Sequence, residues 1–369
     1  MMKGLGWPEV TVHEIGVGRA RRRTGVGWPG EESPRREEVA PREDDGGAAG
    51  SPGDEGAAAE RSGPDEEAAD ADGGSPTNVV AMAAGGEPKG DVVFPPLPLP
   101  PHTRTFVVAN QKGGVGKTTS AVNLAAALAA SGAHVLVVDL DPQGNASTAF
   151  NIEHHDDVPS VYESLIDGQP LSEVVHPVER FPTLFAVPAT IDLSGAELEL
   201  VSVIARESRL KKALEAHCAE REEEGRRYDY IFIDCPPSLG LLTINALVAG
   251  DEVLVPIQCE YYALEGVGAL YRTIERVRTQ LNPRLTISTV LLTMYDARTR
   301  LSAQVAEEVR ANLGAAVLDT VIPRSVRISE APSFQQTVLT WDASSSGALS
   351  YLQAAREIAY RAVRQDEAG

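Results

Sequence analysis

The sequence predicts an α/β fold in which a mostly parallel sheet carries helices on both faces, preceded by a disordered acidic tail. Nearly all-apolar runs such as HVLVVDLD are typical of strands that are buried on both faces of a parallel sheet. Helical patterns separate these runs, and such an alternation favours right-handed β-α-β crossovers. A change of composition near residue 101 marks where the folded domain is predicted to begin.

The first part of the chain has the composition of a disordered segment. The 369 residues carry a formal net charge of −20, and positions 1–100 are dominated by Gly, Ala, Pro, Asp, Glu and Arg. Such a stretch buries too little apolar surface to offset the entropy lost on ordering. We therefore predict a disordered acidic tail over residues 1–100, closed by the stiff proline run at Phe94–Pro101, and a folded domain over residues 101–369.

From Thr105 onward, strand and helix signals alternate along the chain. The run TFVVAN leads into a glycine-rich loop, and TTSAVNLAAALAASG follows with apolar residues at helical spacing. The strand candidates are 105–110, 134–141, 228–238, 251–258, 285–296 and 317–324. The helix candidates are 118–132, 239–250, 263–281, 301–314 and 348–364.

The glycine-rich loop has the features of a phosphate-binding loop. Gly113, Gly114 and Gly116 allow a tight turn that points backbone N–H groups at phosphate oxygens. Lys117 adds a point charge for the β and γ phosphates, and Thr118 opens the following helix where its hydroxyl can hold Mg²⁺. Strand, glycines, Lys-Thr-Thr and helix in this order predict a site for a nucleoside triphosphate.

Acidic residues follow two of the predicted strands. Asp139 and Asp141 share one side of an extended chain because side chains alternate along a strand, so one of them can reach a γ phosphate and orient water. Asp234 ends the strand YDYIFID and has the placement of a second acid associated with Mg²⁺. Ligands of such folds gather at the carboxyl ends of the strands, so these acids and the loop are expected to form one site.

Several segments resemble, in order and spacing, the ParA/Soj chromosome-partitioning ATPases of the MinD/ParA superfamily. They are KGGVGKTT, VVDLDPQGNAS, PATIDLSGAELEL, YDYIFIDCPPSLGLLTINAL, VPIQCEYYALEGVGAL, LLTMYDARTRLS and IPRSVRISEAPS, and the match runs from about Thr105 to Val363. The resemblance implies a P-loop NTPase fold with a deviant Walker A loop. In such a loop, Lys112 reaches across a dimer interface to the phosphates of the partner's ATP, where two facing nucleotides supply charge to neutralise.

The resemblance also assigns ATP and Mg²⁺ as cofactors. It implies that Asp141 orients the attacking water, that Thr118 and, through water, Asp234 hold Mg²⁺, and that Lys112, Lys117 and Asp141 carry catalysis. The implied ATP contacts are Lys112, Gly113, Gly114, Val115, Gly116, Lys117, Thr118, Thr119, Pro323 and Ser325. Pro323 and Ser325 would line the adenine and ribose, although the family usually has Asn where this chain has Ser325.

For partners, the resemblance implies an ATP-dependent homodimer that binds double-stranded DNA without sequence preference through Arg298 and Arg327. A local basic patch of this kind is compatible with an acidic chain. A ParB-type centromere-binding protein would stimulate a weak intrinsic ATPase and so drive chromosome segregation over the nucleoid. Arg300 stands where Asn is common in the family and would extend the patch.

Two other functions fit parts of the sequence. A MinD-like membrane-cycling ATPase would share the nucleotide site but end in an amphipathic anchor with a basic face, whereas the apolar stripe of the last predicted helix favours core packing. An ATP-independent DNA-binding protein leaves Lys117, Asp141 and Asp234 without a role. The chain also lacks an export signal and the roughly 20 apolar residues of a membrane span, so we expect a cytoplasmic protein without a membrane partner.

Overall fold

The computed structural model describes residues 94–261, 263 and 267–366. Its centre is an eight-stranded sheet with the strand order β3-β4-β2-β5-β1-β6-β7-β8. Neighbouring strands are parallel except β3 and β4, which pair antiparallel. The strands are β1 Arg104–Val108, β2 Val135–Asp139, β3 His176–Pro177, β4 Leu184–Val187, β5 Tyr230–Asp234, β6 Glu252–Gln258, β7 Thr286–Tyr295 and β8 Val317–Pro323. The predicted α/β fold with a mostly parallel sheet is thus confirmed.

Helices cover both faces of the sheet. They are α1 Lys117–Ala130, α2 Asn145–Ala149, α3 Val161–Ile166, α4 Leu193–Glu199, α5 Arg209–Glu223, α6 Leu241–Ala249, α7 Val267–Gln280, α8 Arg300–Leu313, α9 Val326–Glu330, α10 Val338–Trp341 and α11 Ser346–Asp366. Short 3₁₀ turns lie at Leu171–Glu173, Leu200–Ser202, Arg206–Ser208, Gly314–Ala316 and Ala331–Phe334.

Two apolar cores lie on opposite faces of the sheet, because alternate residues of each central strand point to opposite sides. On β1, Phe106 and Val108 belong to the core that includes α1 and α11, whereas Val107 belongs to the core that includes α5, α6 and α7. Every residue of β2 and of β5 is buried. This double burial explains why the central strands read as unbroken apolar runs.

The register of the central strands brings the predicted site residues to one edge. Asp139, at the end of β2, is paired with Asp234, at the end of β5. Val108, at the end of β1, is paired with Asp234 from the other side. The loop that follows β1 therefore begins next to both acidic strand ends.

The last helix, α11, closes one side of the domain. Its residues Tyr351, Ala355 and Ile358 are buried against the core that contains α1. The Glu357 carboxylate accepts the backbone N–H groups of Asp319 and Thr320 on β8, at 2.9 and 3.1 Å.

No helix of the described part of the chain is long and apolar enough to cross a membrane.

Residues 1–93 of the predicted tail lie outside the described residues. The stretch from Phe94 to Pro101 has no regular secondary structure. The Leu97 N–H donates to the Ser131 carbonyl at 3.3 Å, and the Arg227 guanidinium donates to the carbonyls of Pro100 and Pro101. The end of the proline run is therefore fastened to the domain.

Candidate nucleotide-binding site

The loop between β1 and α1 is shaped by the side chain of Asn110. The Asn110 Oδ1 accepts the backbone N–H of Lys112 at 3.0 Å, and its Nδ2 donates to the Pro256 carbonyl on β6 at 2.8 Å. Lys112 itself is half-buried. The amide of Asn110 thus fixes both the start of the loop and its position over the sheet.

Glycines are required where the loop turns into α1. Gly114 and Gly116 have φ values of 73° and 88°, a left-handed region that strongly favours glycine. Gly116 directly precedes α1, and its carbonyl accepts the Ser120 N–H at 2.9 Å. The unpaired N–H groups of the first turn, at the positive end of the helix dipole, make this loop suited to a phosphate group.

The clearest electrostatic feature of the site is the Asp234 carboxylate. It is fully buried, and neither oxygen has a hydrogen-bond partner among the described residues. Burial raises the pKa of Asp234 well above its usual range, and the nearby Asp139 carboxylate raises it further. The Thr118 hydroxyl and the Lys117 ammonium are near enough to lower that pKa, although neither makes a hydrogen bond of good geometry to the carboxylate.

This donor set fits a hard divalent cation. Mg²⁺ takes oxygen ligands and is usually bound by one or two protein groups together with phosphates and water. The carboxylate of Asp234 and the hydroxyl of Thr118 are such oxygens, and the partnerless state of Asp234 leaves both of its lone-pair sets available. Among the described residues, groups of three or more His, Cys, Asp or Glu that could hold a metal do not occur.

The two acids after β2 have different surroundings. The Asp139 Oδ1 accepts the Asp141 N–H at 3.2 Å, and its Oδ2 accepts both the N–H and the hydroxyl of Ser147, at 2.9 and 2.8 Å. Burial raises the pKa of Asp139 to about 6, against the effect of these hydrogen bonds. The Asp141 Oδ1 accepts the Gln143 N–H at 3.1 Å. Asp139 is thus occupied in holding the start of α2, while Asp141 retains an oxygen for other partners.

The predicted adenine and ribose contacts lie at the same edge of the sheet but further from the loop. Pro323 is the last residue of β8, where it is paired with Tyr295 of β7. Ser325 is the N-cap residue of α9. Strands β6 and β7 separate β8 from β1 in the sheet.

The two arginines predicted to bind DNA follow β7 and β8, and both form ion pairs. The side chain of Arg298 is 87% exposed, and its guanidinium donates to both oxygens of Asp296 at 2.9 Å. These hydrogen bonds, with that from the Arg298 N–H, lower the pKa of Asp296 to about 2. Arg327 lies 3.5 Å from Glu330 and 3.5 Å from Asp342. We call the side chains of Arg298 and Arg327 the basic surface.

Three residues that the sequence analysis missed support the site. They are Asn110, which shapes the loop; Ser147, which occupies Asp139; and Thr293, whose hydroxyl donates to the Val115 carbonyl at 2.8 Å. Asn110 lies two residues after the end of β1, so its position beside a glycine loop was a usable signal. Thr293 gave no such signal, since it lies 178 residues from its partner.

Known proteins similar to this chain include chromosome-partitioning proteins. A family model described as an AAA domain matches residues 103–287. The chromosome partitioning protein ParA of Caulobacter vibrioides is 52% identical over 258 residues, which cover 70% of this chain and 94% of that protein. The sporulation initiation inhibitor protein Soj of Bacillus subtilis is 52% identical over 256 residues, covering 69% of this chain and 98% of that protein.

A solved structure of a similar chain carries a nucleotide. Cobyrinic acid a,c-diamide synthase from Mycobacterium smegmatis, with bound ADP and magnesium, is 38% identical with a TM-score of 0.58. The match covers 69% of this chain and 92% of that one. The partitioning relatives are therefore the more similar in sequence.

Proposed function

Since this chain belongs to the ParA/Soj family of chromosome-partitioning ATPases, we propose that it is an ATP-driven switch for DNA partitioning. Its nucleotide is ATP and its cation is Mg²⁺. In the proposed cycle, ATP binding forms a homodimer that binds nucleoid DNA without sequence preference. A ParB-type partner then stimulates a slow hydrolysis, which releases the dimer and moves the chromosome origin.

The observation that carries this proposal is the buried, partnerless carboxylate of Asp234 beside Thr118 and Lys117. An isolated buried charge is costly unless it coordinates a metal or is paired. When bound, Mg²⁺ supplies positive charge that bridges phosphate oxygens and offsets the charge that develops on them. Lys117 and the N–H groups at the start of α1 would hold the phosphates themselves.

Asp141 is the better candidate to orient the attacking water. Phosphoryl transfer needs little covalent chemistry from the protein, so positioning of the nucleophile is much of catalysis. The oxygens of Asp139 accept hydrogen bonds from Asp141 and Ser147, which supports a structural role for this acid. Asp141 accepts one backbone N–H, that of Gln143, and lies two residues after the end of β2.

A homodimer through the nucleotide face is supported by exposed apolar side chains near this edge. Large apolar residues in and after α4 are exposed, with Leu198 at 80% and Ile204 at 91%. The Glu197 side chain of α4 contacts the start of α6, which follows the Asp234 strand. Grouped apolar exposure often marks an interface, and Lys112 would place its charge across that interface.

DNA binding by the basic surface is proposed to depend on the dimer. Each guanidinium is already paired with a carboxylate, so phosphate must displace that carboxylate to gain a contact. One copy therefore offers weak sites, whereas two copies add their phosphate contacts on one duplex. A basic peptide of a ParB-type partner would be attracted to the remaining acidic surface.

The membrane-cycling alternative is less well supported. The apolar stripe of α11 is buried against the domain through residues such as Tyr351 and Ile358. Membrane binding by an amphipathic helix needs an apolar face that can leave the protein for the lipid. Within residues 346–364, that face is packed against the core of the domain.

The test is to measure binding to a random DNA duplex with ATP, with ADP and without nucleotide. ATP-dependent binding is expected, together with ATP-dependent dimerisation in sedimentation velocity. Lys112→Ala is expected to bind ATP but to lose both the dimer and the DNA complex, and Lys211→Ala, on α5, serves as the control. Equal DNA binding in all three nucleotide states would contradict the switch, and an unchanged dimer of Lys112→Ala would contradict the role of Lys112.

A further inference from the structure

A hydrogen bond connects the phosphate-binding loop to a distant strand. The Thr293 hydroxyl on β7 donates to the Val115 carbonyl in the middle of the loop at 2.8 Å, and both residues are buried. In the sheet, β6 lies between β7 and β1, from which the loop extends. The contact is therefore made past the end of β6, between the loop and a strand that is not its neighbour in the sheet.

Thr293 also lies against the turn that leads into α1. A Cβ placed on Gly116 would be 3.8 Å from the Thr293 methyl group. The Thr293 side chain thus bonds the Val115 carbonyl through its hydroxyl, and its methyl group faces the open side of Gly116. If phosphate binding shifts Val115 and Gly116, the Thr293 side chain must shift with them, because packed side chains transmit such displacements.

Beyond Thr293, the same strand leads to the basic surface. Met294 has a φ of 51°, a left-handed conformation that a residue with a side chain adopts only when its surroundings impose it. Tyr295 follows, and its carbonyl accepts the Arg324 N–H at 3.0 Å, which links β7 to the end of β8. Asp296 comes next and holds Arg298 with both oxygens.

We propose that Thr293 is a positioning residue that couples the state of the phosphate-binding loop to the basic surface. The route runs from Val115 through Thr293 to the strained Met294 and so to the Asp296–Arg298 pair. ATP in the loop favours one geometry of this strand end, in which the guanidinium of Arg298 can exchange its carboxylate for DNA phosphate. This inference rests on the proposed ATP-dependent DNA binding.

The experiment compares variants that remove either the donor or only the methyl group. Thr293→Val keeps the shape but lacks the hydroxyl, Thr293→Ala lacks it without any risk of overpacking, and Thr293→Ser keeps it. Thr289→Val is the matched control, because Thr289 is on the same strand, is equally buried at 2%, and its hydroxyl is paired with Ser288. For each protein, DNA affinity is measured with saturating ATP and with ADP, and ATP affinity and the unfolding midpoint are measured separately.

We expect Thr293→Val and Thr293→Ala to lower the ratio of DNA affinity with ATP to that with ADP by about fivefold or more. Thr293→Ser and Thr289→Val should stay within about twofold of the unchanged protein, as uncoupled sites do. An unchanged ratio in both Val and Ala variants overturns the coupling, as does a ratio that falls equally in Thr289→Val. If the unchanged protein shows no ATP-dependent DNA binding, the proposed function fails and this inference fails with it.

Discussion

The candidate nucleotide-binding site, called the pocket below, and the basic surface differ in how their charged groups are paired. In the pocket, the Asp234 carboxylate is buried without a hydrogen-bond partner among the described residues. On the basic surface, Arg298 and Arg327 are exposed, and each already lies beside a carboxylate of its own chain. The carboxylate in the pocket thus has oxygen atoms available to a cation, whereas the guanidinium groups of the basic surface already have carboxylate partners.

This difference predicts tight binding in the pocket and weak binding on the basic surface. The buried Asp234 carboxylate has no hydrogen bond of good geometry, so a cation that binds there replaces only its weaker attraction to Thr118 and Lys117. An exposed arginine in an ion pair gains only the difference between phosphate and carboxylate, and salt screens that difference. Under the proposed function, the pocket would bind Mg²⁺ and nucleotide tightly and the basic surface would bind DNA weakly, as repeated release of DNA requires.

The largest expected effect is on hydrolysis. Asp141→Ala should lower the ATPase rate by about 100-fold or more, because in the proposed mechanism its carboxylate orients the water and does not hold the phosphates. ATP affinity should be retained, and the variant should accumulate as a DNA-bound dimer. Phosphate release and nucleotide binding, measured in parallel, check this. Loss of ATP affinity would instead assign Asp141 to binding and return the catalytic role to Asp139.

On the basic surface, Arg327→Glu should lower DNA affinity by about tenfold and flatten its dependence on salt. ATP-dependent dimerisation should be unaffected. The control is Arg276→Glu, the same change at an exposed arginine of α7. In cells, the Arg327 variant is expected to spread through the cytoplasm instead of over the nucleoid, and a variant that still coats the nucleoid would place the DNA contact elsewhere.

A change in the opposite direction tests whether the ion pairs restrain DNA binding. Asp296→Asn frees the Arg298 guanidinium and should strengthen DNA binding by about two- to fivefold, the value of an exposed pair. Titration of a duplex at two salt concentrations measures it. Weaker DNA binding by this variant would mean that Asp296 orients Arg298 for DNA instead of restraining it.

In the pocket, Asp234→Asn should stabilise the nucleotide-free protein by about 1–3 kcal/mol at pH 7 while slowing Mg²⁺-dependent hydrolysis. The folded-state pKa of Asp234 is raised, so the unsubstituted protein loses stability as pH rises through that pKa. The advantage of the variant should therefore shrink as pH is lowered. Urea unfolding at pH 5 and pH 7 measures both, and a destabilised variant would show that the carboxylate has a partner in the folded state.

The smallest expected effect concerns backbone strain at Gln335, in the segment that follows α9. Gln335 has a φ of 54° and is exposed, so Gln335→Gly should raise the free energy of unfolding by about 0.5–1 kcal/mol. Asn151 has a similar φ of 57°, but Asn adopts this region more readily, so Asn151→Gly should gain less. DNA affinity should not change in either variant. A loss of DNA affinity in Gln335→Gly would link this strain to function.

Sequence reasoning succeeded where contiguous residues carry the signal. The six predicted strands match β1, β2 and β5 to β8. The short strand β4 was missed because its four residues lie between Pro182 and Pro188, and prolines so close to a short apolar run argue against a strand. Helix α5 was missed because only Leu210, Leu214 and His217 are buried in fifteen residues.

In the site, the glycine loop and the strand-end acids were predictable because they belong to short motifs. The residues alone did not distinguish Asp139 from Asp141, because both acids lie on one side of the chain. The family resemblance named Asp141, and the hydrogen bonds from Ser147 to Asp139 support that choice. The link from Thr293 to Val115 was equally invisible, because no local pattern reports a contact made by folding. Ion pairing of Arg298 and Arg327 also depends on rotamers that the sequence does not specify.

The bond from Glu357 to β8 bears on how copies of this chain can assemble. An outer strand with free N–H groups is a template for pairing with another chain, and such pairing leads to fibres. Strand β8 is the outermost strand on its side, and the Glu357 carboxylate occupies the N–H groups of Asp319 and Thr320. The Arg361 guanidinium donates to the Val317 carbonyl at 2.7 Å and covers the start of the same strand. Along this stretch the sheet cannot be extended by a neighbour, so growth into a filament by strand addition is blocked there.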